Sequence, residues 1–200
     1  MQNLDQIDED DDGTVFRDVI MLALLGFITI VILLLPHVNP PVDANEASQP
    51  PGNVIVELRW PDDIDADVDL WVEAPGDVPV GYSNKGGRIF NLLRDDLGHA
   101  NDATKLNYEV AYSRGIPAGE YTVNLHLYRS KISKLPIPAV VAVGIKANRN
   151  ATVLPIATGN VELVRVGQEI TVVRFAIDEH GMLVPGSIHE LQRDLRAARR

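Results

Sequence analysis

The 200-residue sequence contains no cysteine. Disulfide bridges, thiolate nucleophiles and thiolate metal sites are therefore excluded, and the redox compartment is left open. The five histidines are scattered without a metal-ligand spacing such as H-E-x-x-H. Motifs for a serine nucleophile, a P-loop or dinucleotide binding are also missing. We therefore expect no catalytic residues, no cofactor-binding residues and no enzyme activity.

Basic residues are scarce, with 18 Lys and Arg against 28 Asp and Glu and a formal net charge of −10. An acidic chain of this kind is a poor partner for nucleic acid. Residues 1–18 alone hold seven acids and one arginine. Because acidic runs are usually solvated, we expect residues 1–14 to form a disordered tail.

Charge is absent from Val19–Leu35, an apolar run of 17 residues. As a helix this run is about 26 Å long, so flanking residues must help it to cross a hydrocarbon core of about 30 Å. We predict a transmembrane helix over residues 15–36. The acidic residues before the run and the lack of an A-x-A site after it argue against a cleaved signal peptide. Arg17, the one basic residue near either end, favours a cytoplasmic N-terminus.

The run Phe16–Phe27 (FRDVIMLALLGF) resembles the start of the single span of ExbD/TolR proteins and, more loosely, of the flagellar stator protein MotB. In those families an aspartate just before the apolar helix carries protons, and a dimer of such helices lies inside a ring of ExbB/TolQ/MotA-type subunits. The resemblance implies that Asp18 is a proton relay in a homodimer with an ExbB/TolQ/MotA-like multi-span partner. It also implies a single-pass protein of the bacterial inner membrane with a periplasmic C-terminal domain. A simpler interpretation stays open, in which Arg17 pairs with Asp18 at the membrane interface and the helix is only an anchor.

After the apolar run, the composition changes twice. Residues 37–52 contain four prolines and few apolar side chains, which indicates a linker. From residue 53 the apolar residues alternate with polar ones, as they do in half-buried strands. We predict eight strands, at residues 54–60, 68–72, 87–92, 107–113, 120–128, 139–147, 160–166 and 169–177. Without a long amphipathic helix among them, this pattern predicts a mainly β chain with an antiparallel β-sandwich over residues 53–186.

The last 14 residues have a different pattern. Ser187 and Glu190 have the spacing of a capping box, and the arginines that follow suit the C-terminal end of a helix. We predict a basic helix over residues 187–200. It would pack on the sandwich or contact anionic lipid or another envelope polymer.

Two motifs give the sandwich a second resemblance. Asp67–Val72 (DVDLWV) and Pro117–Val123 (PAGEYTV) are similar, in kind and order, to the DLDLxV and PAGxYxV motifs of bacterial envelope β-sandwich modules. The likeness covers residues 55–130. Those modules are accessory domains that bind or stabilise, so the resemblance implies a fold and a binding class without naming a ligand.

Acidic residues are concentrated at the second predicted strand, with eight acids and one arginine between residues 57 and 77. Alternate residues of an extended strand project from one face, where these carboxylates would repel one another unless a cation bound them. Calcium accepts such ligands, and further carboxylates are available from a nearby loop. The candidate calcium ligands are Asp65, Asp67, Asp69, Asp95 and Asp96. The alternative is a solvated turn followed by Asp67 and Asp69 on the wet face of the strand.

His126 and Tyr121 occupy one predicted strand. His126 lies on the opposite face of this strand from the alternating apolar residues, so we expect a surface or cross-strand histidine. Tyr121 follows the Pro-Ala-Gly turn, and we expect it to be packed in the core.

These observations lead to two functional hypotheses. The first is a bitopic subunit of a proton-motive-force-driven, ExbD/TolR/MotB-like motor or transport complex, in which Asp18 carries protons and the sandwich engages an envelope target. The second is a passive membrane-anchored binding module that recognises calcium, a glycan or a protein without energy coupling. Calcium is the one bound ion that either hypothesis includes.

Overall fold

The computed structural model describes residues 5–38, 52–98, 106–146 and 151–196. The chain divides into two compact units, residues 1–49 and residues 50–200. Each unit has its own architecture.

The first unit contains one helix, α1 (Asp5–Val38). Its segment Gly13–Leu34, with 22 residues and a mean hydropathy of 2.4, is long and apolar enough to cross a membrane. The helix begins before the predicted span, so the expectation of disorder is wrong for residues 5–14. Most of the predicted linker, residues 39–51, lies outside the described residues.

The second unit is built from eight strands in two antiparallel sheets, which confirms the predicted fold class. A short 3-10 helix, Ile132–Lys134, precedes the sixth strand. The strands are β1 (Val54–Arg59), β2 (Ala66–Glu73), β3 (Phe90–Arg94), β4 (Tyr108–Ser113), β5 (Gly119–Ser130), β6 (Ile137–Ile145), β7 (Leu154–Leu163) and β8 (Glu169–Ile177).

One sheet has the strand order β3-β4-β1-β6-β7 and the other has the order β2-β5-β8. Alternate apolar residues of both sheets meet in a shared core, as the period of two requires. Tyr121 is 1% exposed and stacks on Phe175, with ring centroids 5.1 Å apart. Phe90 meets the same tyrosine edge-on at 6.1 Å. The expectation that Tyr121 is a core residue is confirmed.

Strand β7 begins earlier than the sequence predicts, at Leu154 instead of residue 160. Pro155 discourages a strand prediction because proline cannot donate a ladder hydrogen bond. However, β7 is an edge strand that pairs only with β6, and an edge position tolerates the missing donor.

The predicted C-terminal helix is wrong for residues 187–196, which form no helix. This segment instead lies along the free edge of β8, where the backbones of His189 and Arg174 exchange hydrogen bonds of 2.7 and 3.0 Å. The Ser187 hydroxyl does not cap a helix; it donates to the Val184 carbonyl oxygen and accepts from the Ala176 N–H. Strand pairing and packing therefore outweigh the local capping signal. Residues 197–200 lie outside the described part of the chain.

Candidate functional site

The outer face of the three-stranded sheet is polar but covered. Along β2, Val68, Leu70 and Val72 belong to the core, so Asp67 and Asp69 project from the opposite face. These two aspartates are nevertheless only 5% and 3% exposed. The expectation that they lie on a wet strand face is therefore wrong.

The C-terminal segment helps to close this face. Asn124 on β5 donates a hydrogen bond to the Arg193 carbonyl oxygen at 2.7 Å. The N–H of Leu195 donates to Glu169 at 2.8 Å, and the Leu195 side chain is fully enclosed. The Arg193 guanidinium pairs with Glu73 of β2 at 2.5 Å. The predicted docking of residues 187–196 on the sandwich thus occurs without a helix.

Asp69 lies directly opposite His126 across the β2–β5 pair. One Asp69 carboxylate oxygen is 2.6 Å from the His126 Nδ1 atom. His126 is 2% exposed, so the expected cross-strand position is confirmed and the expected surface position is wrong. The error arises because a period of two identifies the outer face but does not show what covers it.

Three carboxylates converge beside β2. Ligand oxygens of Asp69, Asp95 and Glu109 all lie within 4.8 Å of one another. Asp69 comes from β2, Asp95 follows β3, and Glu109 belongs to β4 in the other sheet. The group therefore lies where an edge strand of one sheet meets a strand of the other.

Glu109 connects these elements through its carboxylate. One oxygen accepts the Leu70 N–H at 2.8 Å, and the other accepts the Asp96 N–H at 3.1 Å. Because β2 is an edge strand, the Leu70 N–H would otherwise lack a partner on that side. Burial of the fully enclosed Glu109 raises its pKa well above the usual range, despite these two hydrogen bonds.

The neighbouring carboxylates are also perturbed. Burial, reinforced by the charge of Asp69, raises the pKa of Asp67 to about 7. Burial likewise raises the pKa of Asp69, and the hydrogen bond and charge of His126 oppose that shift. Burial therefore favours the neutral, protonated form of these carboxyl groups, and their ionised form needs a nearby positive charge.

Some carboxylate oxygens in this region have no donor. Oδ1 of Asp67 and Oδ1 of Asp95 are enclosed and accept no hydrogen bond within the part of the chain that the structure describes. The other Asp95 oxygen pairs with the Lys85 ammonium at 2.8 Å. A buried acceptor without a partner costs about 1–3 kcal/mol, so these oxygens are suited to a bound cation.

The five predicted calcium ligands have different positions. Asp69 and Asp95 come together, and Asp67 lies beside Asp69 on the same face of β2. Asp96 is engaged elsewhere, because it binds the Arg94 guanidinium at 2.8 Å and accepts the Gly98 N–H at 3.0 Å. Asp65 precedes β2 and pairs with Arg129 at 3.1 Å.

Glu109 was not among the predicted ligands. The sequence does contain a signal for it, because Glu109 is in phase with Ala111 and Ser113, both of which face inward. A glutamate on the buried phase of a strand needs a partner. That reasoning identifies Glu109 as unusual but does not show which carboxylates it meets.

Asp18 lies inside the segment that could span a membrane. It is the sixth residue of Gly13–Leu34, next to Arg17, and these are the two charged residues in that segment. Both side chains are exposed on α1.

Comparisons with protein-family models, with curated proteins and with solved structures gave no match.

Proposed function

We propose that this protein is a membrane-anchored binding module, in which α1 holds the chain in a bilayer and the sandwich binds a ligand outside it. The observation that carries the proposal is the helix segment Gly13–Leu34, which is long and apolar enough to cross a membrane. The sandwich, by contrast, encloses a core of its own. A 22-residue apolar surface is stable in lipid and costly in water.

The proposed location is the bacterial inner membrane, with the N-terminus in the cytoplasm and the sandwich in the periplasm. Arg17 supports this orientation through the excess of basic residues that cytoplasmic flanks carry. The covered polar face of the sandwich, with its unpartnered carboxylate oxygens, supports a binding role. The proposal includes no catalytic step.

Because the chain has no cysteine, single cysteines can test the anchor and its orientation. We would introduce Gln2→Cys or Glu190→Cys and treat cells that have a permeabilised outer membrane and an intact inner membrane with a membrane-impermeant maleimide. The expected result is labelling of the Glu190→Cys protein in cells with a permeabilised outer membrane, and labelling of the Gln2→Cys protein only after the inner membrane is broken. The full chain should also resist carbonate extraction from membranes, and a chain lacking residues 13–34 should be soluble. Equal labelling at both positions, or carbonate extraction of the full chain, would refute the proposal.

The position of Asp18 favours a second candidate function. A carboxylate within an apolar span is costly, and such residues often belong to proton pathways. In this candidate, Asp18 carries protons in a homodimer that is bound to an ExbB/TolQ/MotA-like multi-span protein, and the sandwich engages an envelope target.

We would purify the full chain from its native membrane in mild detergent and compare wild type, Asp18→Asn and Asp12→Asn. The second candidate predicts a co-purifying multi-span subunit in all three preparations and loss of the cellular function with Asp18→Asn alone. Asp12→Asn is the matched control, because it removes an aspartate just outside the span. A wild-type phenotype for Asp18→Asn, without a multi-span partner, would leave α1 as an anchor only.

A further inference from the structure

We propose that Asp69, Asp95 and Glu109 bind one calcium ion, which joins the two sheets of the sandwich. This inference deepens the proposed function, because it gives the binding module a ligand. It rests on the geometry of three side chains and on two enclosed oxygens that lack donors.

The spacing of the three carboxylates suits calcium. Calcium binds oxygens at about 2.4 Å, so two ligands on opposite sides of one ion are about 4.8 Å apart. The ligand oxygens of Asp69, Asp95 and Glu109 all lie within 4.8 Å of one another. An ion at their centre is therefore no more than about 2.8 Å from each oxygen, so small side-chain movements bring all three to the calcium bonding distance.

The unpartnered oxygens point to a ligand independently of this spacing. Asp95 uses one oxygen for Lys85 and leaves Oδ1 enclosed without a donor. Asp67, only 5% exposed and two residues from Asp69 on the same face, also has an enclosed Oδ1 without a donor. A carboxylate oxygen at a solvated surface does not lack a hydrogen-bond donor, because water donates to it. A cation bound by Asp69, Asp95 and Glu109 supplies the missing interaction at Asp95 and attracts the buried carboxylate of Asp67, whose charge interacts with those of Asp69 and Asp95.

The chemistry of the donors favours calcium over other metals. All three ligands are hard carboxylate oxygens, and Nδ1 of His126 is engaged by Asp69 at 2.6 Å. Magnesium binds at about 2.1 Å in a strict octahedron and keeps several waters, which an enclosed site does not readily accommodate. Calcium tolerates irregular sets of six to eight oxygens and accepts bidentate carboxylates and backbone carbonyl oxygens, so it depends less on bound water than magnesium does.

The position of the site predicts the effect of the ion. Glu109 lies on β4 of the five-stranded sheet and Asp69 on β2 of the three-stranded sheet, so the ion connects the two layers of the sandwich. It also neutralises carboxylates that otherwise repel one another. Because the ion binds the folded chain and not the unfolded one, it raises the midpoint of thermal unfolding.

The test uses the full chain in mild detergent after treatment with EDTA. We expect calcium at 100 times its dissociation constant to raise the unfolding midpoint by roughly 5–10 °C, and magnesium at the same concentration to raise it much less. Terbium, which replaces calcium and emits when nearby tryptophan is excited, should bind one ion per chain. Trp71 is the sensitiser, two residues from Asp69 in β2.

Variants locate the effect. Asp95→Asn should reduce terbium affinity at least tenfold and remove most of the calcium-dependent shift. Asp63→Asn removes the same charge from an exposed position nearby and should leave both measurements unchanged. If Asp95→Asn does not fold, Asp69→Asn provides the same test, because the amide oxygen can still accept a hydrogen bond from His126.

Three results would overturn the inference. One is the absence of saturable terbium binding in wild type. Another is an equal loss of binding in Asp95→Asn and Asp63→Asn. The last is full terbium binding in Asp95→Asn together with loss of terbium binding when the acidic run at residues 8–12 is replaced. That pair of results would place the ion in the N-terminal segment. Each of these leaves the cysteine labelling and carbonate extraction unaffected, so failure of the calcium site is distinguishable from failure of the membrane anchor.

Discussion

The hydrogen bond of Tyr121 allows a quantitative prediction for the sandwich. The Tyr121 hydroxyl donates to the Pro117 carbonyl oxygen at 2.8 Å, and the side chain is 1% exposed. Tyr121→Phe removes this bond and keeps the ring that packs against Phe90 and Phe175. An intramolecular hydrogen bond contributes about 0.5–1.5 kcal/mol net. Because Pro117 is half-buried, water can replace part of the loss at its carbonyl, and we expect a decrease of about 1 kcal/mol in the free energy of unfolding.

The assay is urea unfolding of the full chain followed by tryptophan fluorescence. Both tryptophans, Trp60 and Trp71, are in the sandwich, so the signal reports on that unit and not on α1. The matched control is Tyr128→Phe, because Tyr128 is 54% exposed and should change stability by less than about 0.5 kcal/mol. Equal effects of the two substitutions would refute this reasoning. A loss above about 3 kcal/mol for Tyr121→Phe would also refute it, since a single hydrogen bond does not account for that amount.

Two further predictions concern other parts of the sandwich. Leu195→Ala should lower the free energy of unfolding by about 3 kcal/mol in the same urea assay, because this enclosed side chain holds the C-terminal segment on the sheet. The control is Leu191→Ala, which should have little effect because Leu191 is 68% exposed. Burial alone would raise the pKa of Asp77, but hydrogen bonds from two backbone N–H groups outweigh burial and lower that pKa below 3.8. The ionised Asp77 side chain therefore contributes about 1 kcal/mol to the free energy of unfolding at pH values above its unfolded-state pKa. This contribution is lost as the pH falls through the folded-state pKa. The stability difference between wild type and Asp77→Asn should shrink as the pH falls from the unfolded-state pKa through the lower folded-state pKa. A difference that stays constant over the whole acid range would contradict this.

The elements that the sequence predicts well are those with a strong local pattern. Uninterrupted apolar residues indicate α1, and the period of two indicates the strands and their buried faces. The same reasoning places Tyr121 in the core, since a strand that follows a tight turn must pack one face. These features depend on residues close together in the chain, so one sequence is sufficient to find them.

The features that the sequence misses depend on contacts between distant segments. Ser187 has the local signal of a helix cap, yet pairing of His189 with Arg174 on the β8 edge is the stronger interaction. Pro155 argues against a strand, but the edge position of β7 removes the objection. Both errors have the same cause. The tertiary contacts of a segment can override its local preference for helix or strand.

The carboxylate cluster is predicted in part from the sequence and missed in part. Alternation along β2 correctly predicts that Asp67 and Asp69 share a face, and the nearby loop does supply Asp95. The sequence could not show that other segments cover this face, or that Glu109 reaches it from the opposite sheet. The metal-binding hypothesis therefore begins with a local pattern, and its specific ligands come from the tertiary structure.

We propose that the sandwich is a binding module whose ligand is a calcium ion at Asp69, Asp95 and Glu109. Equilibrium dialysis of the purified full chain against labelled calcium, at neutral pH and in excess sodium, tests this claim most directly. We expect one tightly bound ion per chain in wild type and much weaker binding in Asp95→Asn. Wild-type protein that binds no calcium under these conditions would contradict it.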